Sequence, residues 1–380
     1  MGAIFTVFLQ WGMSEKFDVC IRGDGVVGRS LALLLARQRL RVALCSASAG
    51  ASTEAPKALD LRAYALNQAS RKLLESLRVW PGEVTPVSAM QVWGDEGGRI
   101  AFEPPAGHEE LAWLVEADAL QETLAQALRF APEVHRLDQA GEVSAKLTVV
   151  CEGRASSSRK PLGVNWQARP YAQKALAARL RSEQAHGGVA RQWFCGPDIL
   201  ALLPTGGAQG RDLALVWSTP TARAQELLAL EAADFERSLQ AALPADLAPL
   251  RLQSEVMAWP LQWAQAEHWV GPGWALAGDA AHTVHPLAGQ GLNLGLADAA
   301  TLAQVLIERA YWRDPGDLRL LRRYERQRKA DVLAMGLLTD GLQGLFSHTD
   351  ARWQALRNWG MNAVGGNPLI KSWLMRQAMG

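Results

Sequence analysis

Residues 17–46 read FDVCIRGDGVVGRSLALLLARQRLRVALCS, and this stretch decides the fold. Residues 18–22 form a short β-like run and residues 41–45 a second. Between them Val27, Leu31, Leu34 and Leu35 recur at helical spacing, which predicts a helix over residues 26–38. The first strand meets the helix at Gly23-x-Gly25-x-x-Gly28. Gly23 permits a tight turn, Gly25 lets a pyrophosphate approach the backbone, and Gly28 lets helix and strand pack closely. A pyrophosphate bound there sits at the helix N-terminus, where free N–H groups and the helix dipole favour negative charge. The unit reads as a dinucleotide-binding α/β element rather than a merely glycine-rich turn.

Two features of the unit are unusual. Ser46 ends the second strand, where the fingerprint asks for Asp or Glu to hold the ribose hydroxyls. A serine offers one neutral hydrogen bond, roughly half the strength of a charge-assisted one. Arg22 ends a buried strand and Arg29 lies just inside the helix; each either meets a pyrophosphate or reaches solvent past its aliphatic stem. Farther on, an amphipathic helix is expected over residues 66–77. Arg62, in the loop before it, either approaches the pyrophosphate or is a surface arginine.

A second informative stretch lies far along the chain, at residues 278–298, GDAAHTVHPLAGQGLNLGLAD. It follows an apolar strand-like run (Trp274, Ala275, Leu276, Ala277) and ends inside a helical pattern. A strand ending in Gly278-Asp279, then a glycine-rich loop opening a helix, presents one carboxylate and several backbone N–H groups to a polar ligand. Asp279, His282 and His285 recur every three residues, but zinc sites favour helix-spaced ligands and the glycines here indicate a loop. No metal is expected.

Between these stretches the pattern is mostly β. Short alternating runs at 91–93, 100–102 and 111–115 precede a helix at 117–130 and an apolar strand at 147–151. Further strands are expected at 171–181, 188–194, 199–203 and 213–218, and a helix within 226–243. A nucleotide-binding unit interrupted in this way implies an inserted, not an appended, second domain. Trp193, Trp217 and Trp259 fall in its strands, as candidates either for an aromatic pocket or for the core.

The gross numbers bound the rest. At 380 residues the chain exceeds one ordinary core. With 39 basic against 38 acidic side chains it offers no basic surplus for nucleic acid. Cys20, Cys45, Cys151 and Cys195 have no metal or redox spacing, which suits a reducing, cytoplasmic compartment. The apolar run at residues 3–11 is too short to span a bilayer, and reads as an extension or as sequence ahead of a start at Met13.

Three blocks lie in a recognisable order: Gly23-x-Gly25-x-x-Gly28, then Cys151-Glu152-Gly153-x-x-Ser156-x-x-Arg159, then Gly278-Asp279-Ala-Ala-His282 with Pro286-x-x-Gly289-Gln290-Gly291-x-Asn293. This order resembles the single-component FAD-dependent aromatic hydroxylases of the para-hydroxybenzoate hydroxylase fold. HPLAGQGLNLGL, ALLPTGG, LVWSTP, YERQRKADVLAM and LMRQAMG resemble its ubiquinone-biosynthesis branch.

The resemblance implies an α/β fold. A Rossmann-like FAD-binding domain would comprise residues 14–85, 140–165 and 266–345. An inserted, mostly antiparallel β substrate domain would comprise 86–139 and 166–265, followed by a C-terminal helical segment at 346–380. It also implies FAD as cofactor, held by Gly23, Gly25, Gly28, Arg62, Glu152, Gly278, Asp279, Gly289, Gln290, Gly291, Leu292 and Asn293. Asp279 would bond the ribityl chain, and the backbone of 289–293 would line the flavin's pyrimidine edge. No side chain is assigned as acid or base.

The implied activity is hydroxylation of a phenolic ring, with an aromatic small-molecule substrate, most simply a polyprenyl-phenol intermediate of ubiquinone. NAD(P)H would be a transient electron donor, since there is no second dinucleotide motif. Because that substrate lives in the bilayer, peripheral membrane contact is implied as well, through the amphipathic residues 352–379, along with a biosynthetic complex or homo-oligomer. Three positions depart from the pattern: Ser46 for Glu, Glu152 for Asp, and Ala117 for a polar residue. At order 1 kcal/mol per hydrogen bond they would cost roughly 10- to 100-fold in FAD affinity. They motivate the alternative of a flavin-poor, non-catalytic partner in a biosynthetic complex.

Overall fold

A computed structural model describes residues 17–46, 60–94, 97–105, 107–138, 143–284 and 291–347. The chain opens with β1 (Phe17–Arg22), α1 (Val26–Ala36) and β2 (Val42–Cys45). Val19, Ile21 and all of β2 are buried, because a parallel sheet under helices has no wet face to fill with polar residues. Then come β3 (Ala63–Leu66) and α2 (Gln68–Ser76), whose first turn is capped by the Asn67 side chain accepting from the Ser70 N–H. Four short strands follow, β4 (Thr85–Val87), β5 (Ala89–Trp93), β6 (Arg99–Phe102) and β7 (Ala112–Glu116). After them run α3 (Ala117–Leu128), β8 (Val134–Leu137) and β9 (Ala145–Val150).

The long strands β10 (Trp166–Ser182), β11 (Val189–Cys195), β12 (Asp198–Thr205) and β13 (Asp212–Pro220) form the middle of the chain. Two helices lie across them, α4 (Thr221–Leu228) and α5 (Ala232–Ala241). The return path is β14 (Leu250–Leu252), β15 (Met257–Ala266), β16 (Val270–Gly271), β17 (Trp274–Leu276) and β18 (His282–Thr283). Helices α6 (Gly291–Ile307) and α7 (Leu318–Ser347) complete the described chain.

Three sheets result. The first has the order β16-β17-β9-β1-β2-β8 and is parallel apart from β16 at its edge. The largest apolar core joins this sheet to α1, α3, α6 and α7. The second sheet runs β18-β15-β10-β13-β12-β11-β5-β6, antiparallel except where β11 meets β5. On one of its faces α4 and α5 bury Leu176, Leu180, Trp193, Trp217 and Phe235. A small third sheet, β3-β7-β4, accompanies them.

One expectation is corrected. The resemblance puts residues 86–139 wholly in the inserted segment, yet α3 packs on α1 and β8 pairs with β2, so these two elements lie with the first sheet while β5 and β6 belong to the second. The four residues of β8, Val134-His135-Arg136-Leu137, are too short and polar a run to announce a sheet strand. Of the two readings open for Trp193 and Trp217, the structure takes the core, under α4 and α5. Trp259, paired with Ala175, alternates to the opposite face. The expected segment 346–380 lies outside the described residues beyond Ser347, as do residues 1–16. No described helix is long and apolar enough to cross a membrane.

The fold places residues 277–281 at a junction. β17 ends in the first sheet at Leu276, and β18 begins in the second at His282. The carboxylate of Asp279 is set between the two.

Candidate cofactor site

The three glycines of the first turn have separate reasons. Gly23 has φ +116°, and a Cβ on it would lie 2.3 Å from the Cys151 carbonyl oxygen. A Cβ on Gly28 would lie 2.0 Å from the Gly23 carbonyl oxygen. A Cβ on Gly25, the N-cap of α1, would meet nothing within 4 Å among the described residues, and none of their side chains caps that helix. Two glycines are thus required by packing, while the third faces open space before free helix N–H groups. That is the cradle a pyrophosphate needs, and it fits the group.

Charged side chains crowd this turn. Arg29 Nε and Nη2 donate to Asp24 Oδ1 and Oδ2 at 2.8 and 3.1 Å, and Arg29 Nη1 donates to the Gln121 carbonyl at 2.8 Å. Arg136, at the end of β8, donates to Asp24 Oδ2 at 3.0 Å. Arg22 donates to Ser158 Oγ at 3.0 Å. Ser46 turns inward, its hydroxyl and N–H both directed at the Leu137 carbonyl, at 3.4 and 3.2 Å. Of the unusual residues read from sequence, then, Arg22, Arg29 and Ser46 all have partners within the protein.

The second cradle is built by α1, α6 and the turn after β17. Gly278 has φ +64° and packs against Val27; a Cβ on Gly295 would stand 2.7 Å from Val27 Cγ2. Asp279 lies half-buried and makes no hydrogen bond or ion pair among the described residues. Burial raises its carboxyl above the usual aspartate range, outweighing the attraction of His282, Arg154 and Arg62. A carboxylate desolvated without a donor suits a ligand rich in hydroxyl groups, such as a ribityl chain. Arg62 is itself held by Asp60, through Nε at 2.8 Å and Nη2 at 2.5 Å.

What keeps Asp279 in place escaped the sequence reading. Asp298 of α6 is fully buried and accepts from the Gly278 N–H at 2.9 Å, from His282 Nε2 at 2.6 Å and from Arg328 Nε at 2.8 Å. Arg328 comes from α7 and also donates to Asp331 at 2.7 Å and the Leu294 carbonyl at 3.3 Å. Trp269 stacks on His282 with centroids 4.8 Å apart, and Tyr324 donates to the Leu276 carbonyl at 2.8 Å. Burial raises the Asp298 carboxyl, but His282 and Arg328 outweigh it and leave it lowered. An acid inside the apolar run Gly295-Leu-Ala-Asp298-Ala-Ala was the available clue.

The remaining predicted residues divide. Glu152 is engaged within its own loop, accepting from Ser156 Oγ at 2.7 Å, Ser158 Oγ at 2.7 Å and the Ser158 N–H at 3.1 Å. Burial alone would raise its carboxyl, but these bonds leave it lowered. Arg159 links this loop to the Asp279 turn through the Ala280 carbonyl at 3.2 Å, with its guanidinium 3.8 Å from the Trp166 ring centre. Gly291 opens α6 onto free space, and Leu292 packs against the first core. The Asn293 side chain is structural: it donates to the Ala65 carbonyl at 2.8 Å and accepts from Asn67 N and Ser70 Oγ at 3.1 and 2.7 Å. Ala117 is buried at the start of α3. Gly289, Gln290 and His285 lie outside the described residues. Among the described residues no cluster of three or more His, Cys, Asp or Glu is placed to hold a metal.

The family model described as FAD binding domain matches residues 115–336, more than half of the chain. The ubiquinone hydroxylase UbiL of Rhodospirillum rubrum is 32% identical, over 97% of this chain and 91% of its own length. The 3-demethoxyubiquinol 3-hydroxylase of Escherichia coli is 31% identical, over 97% of this chain and 99% of its own. In fold, the chain is similar to PqsL, a probable FAD-dependent monooxygenase from Pseudomonas aeruginosa. That likeness has a TM-score of 0.71 at 21% identity, covering 91% of this chain and all of that one. The chain belongs to the FAD binding domain family.

Proposed function

We propose that the protein is an FAD-dependent monooxygenase that hydroxylates the phenolic ring of a polyprenylated ubiquinone precursor. The observation that carries this reading is the desolvated Asp279 carboxylate, without a donor among the described residues, at the junction of the two large sheets. Relatives named as ubiquinone-pathway hydroxylases, aligned along nearly the whole chain, support the substrate class.

On this reading Gly23, Gly25 and Gly28 shape the seat for the FAD pyrophosphate, and Asp279 accepts from the ribityl hydroxyls. The α6 N-terminus at Gly291 would supply a helix dipole that favours negative charge on a ring held near it. When bound, FAD supplies oxygen activation and hydroxyl transfer. The protein's own work is to position the ring and exclude water around it. A nicotinamide nucleotide is the proposed electron donor, and a polyprenyl tail would draw the protein to the membrane surface.

The second reading, a flavin-poor partner in a biosynthetic complex, is favoured by Ser46 turning to Leu137 and by Glu152 serving its own loop. The visible spectrum of the purified protein, with a fluorescence titration of FAD, separates the two. A stoichiometric yellow protein supports the enzyme, and Asp279→Ala should then lose the flavin without unfolding. No flavin bands and no binding at tens of micromolar would sink it. A deletion strain accumulating one quinone precursor would identify the substrate.

A further inference from the structure

Asp24 puts a carboxylate into the glycine turn, between Gly23 and Gly25, in front of the uncapped N-terminus of α1. A helix N-terminus welcomes one anion there, and a pyrophosphate would want the same position. Two arginines converge on it from different elements. Arg29 lies one turn into α1, and helical side chains tilt toward the N-terminus, so its guanidinium folds back onto Asp24 in a bidentate pair. Arg136 reaches Asp24 from β8, across the end of β2. Asp24 and Arg29 are well shielded, at 15% and 13% exposure, whereas Arg136 is 52% exposed.

Resting on the reading that this turn seats the FAD pyrophosphate, we propose that Asp24 is an internal counter-anion. It holds Arg29 and Arg136, the two arginines a pyrophosphate would recruit, and incoming FAD must compete with it for them. Arginine grips phosphate and carboxylate through the same two-point geometry, so the contest is between like partners. Without Asp24, Arg29 would be a shielded cation beside a positive helix end, which the cofactor-free protein would tolerate poorly. Asp24 therefore steadies the empty cradle and weakens its grip. This weakening is distinct from the loss of the ribose acid at Ser46, because it acts on the pyrophosphate and not on the adenosine.

The test is a titration of the full chain with FAD and, separately, with ADP, at low and at physiological salt. Asp24→Asn keeps the shape and removes the charge. It should bind both ligands about tenfold more tightly and with steeper salt dependence, by about 1.4 kcal/mol. The cofactor-free variant should melt below the wild type, an opposition that a purely structural role would not produce. Adding Arg136→Gln to Asp24→Asn should take back part of the gain.

Arg136→Gln alone, a change at a half-exposed position, provides a second arm should Asp24→Asn fold poorly. It should weaken FAD binding about threefold and flatten the salt dependence. Wild type that binds FAD while Asp24→Asn binds no better, or while Arg136→Gln binds equally well, overturns the counter-anion role and leaves the cradle intact. If neither wild type nor any variant binds FAD or ADP, the cradle reading itself fails and takes this proposal with it.

Discussion

Asp298→Asn probes the post that holds the Asp279 turn. Every neighbour of the Asp298 carboxylate is a donor: the Gly278 N–H, His282 Nε2 and Arg328 Nε. An asparagine of the same shape must turn its NH2 toward one of them. It also leaves Arg328, 5% exposed, with the surface carboxylate of Asp331 as its one ion-pair partner among the described residues. Breaking one side of a buried ion pair costs about 3–5 kcal/mol, and one accepting oxygen survives, so a loss of about 3 kcal/mol is expected.

Urea denaturation of the cofactor-free protein would measure it, with tryptophan fluorescence as probe because Trp269 stacks on His282. Adding Arg328→Met removes the stranded cation, and the double variant should recover about 1–2 kcal/mol relative to the sum of the single losses. The sign with pH is fixed too. The folded carboxyl is lowered, so its contribution is present above about pH 4 and is lost as pH falls through the lowered value. A loss below about 1 kcal/mol for Asp298→Asn, or strict additivity in the pair, would refute this account of the turn.

Asp279→Asn should raise the stability of the cofactor-free protein near neutrality while weakening FAD. Its folded carboxyl is raised, so wild-type stability declines as pH climbs from the ordinary aspartate range through the raised value; melting scans against pH should lose that decline in the variant. Gly25→Ala should fold normally and bind FAD poorly, because the added methyl meets only the ligand's space. Gly28→Ala should lose roughly 3 kcal/mol of stability, since its methyl would press on the Gly23 carbonyl; parallel melts and FAD titrations of the two distinguish them. Asn293→Ala strips partners from Asn67 N, Ser70 and Ala65 and should cost roughly 3 kcal/mol by urea denaturation, loosening α6 from α2.

The parts of the fold that sequence made plain are those written in short-range spacing. The strand–glycine–helix unit at residues 17–46 is formed as its period implied, because the apolar spacing of α1 and the close approach of Gly28 to the Gly23 carbonyl are both local; that Gly23 is confined by the distant Cys151 carbonyl was not legible. The turn at Gly278-Asp279 was likewise legible as a turn, since a glycine follows the apolar strand and takes a positive φ there. Illegible were pairings between distant elements. Asp298 meets Arg328 only because α6 and α7 pack together, and neither residue declares its partner. The strand identity of β8 depends on β2 being beside it. Whether Trp193 and Trp217 faced a ligand or a core depended on which face α4 and α5 would cover. Asn293, expected beside the ring, spends its side chain on the Asn67 cap.

The order of strands in the first sheet also governs how the protein is made. β1 pairs with β9, which is distant in sequence, and β9 pairs with β17 only after every strand of the second sheet except β18 has been synthesised. At ordinary translation rates of about 5–20 residues per second, the stretch between β9 and β17 takes on the order of ten seconds to emerge. During that interval the glycine turn exists without the Asp279 turn, and an apolar sheet edge at β9 stands unpaired. Nascent chains stalled within the second sheet are therefore the aggregation-prone species, and they are the ones a chaperone would have to hold.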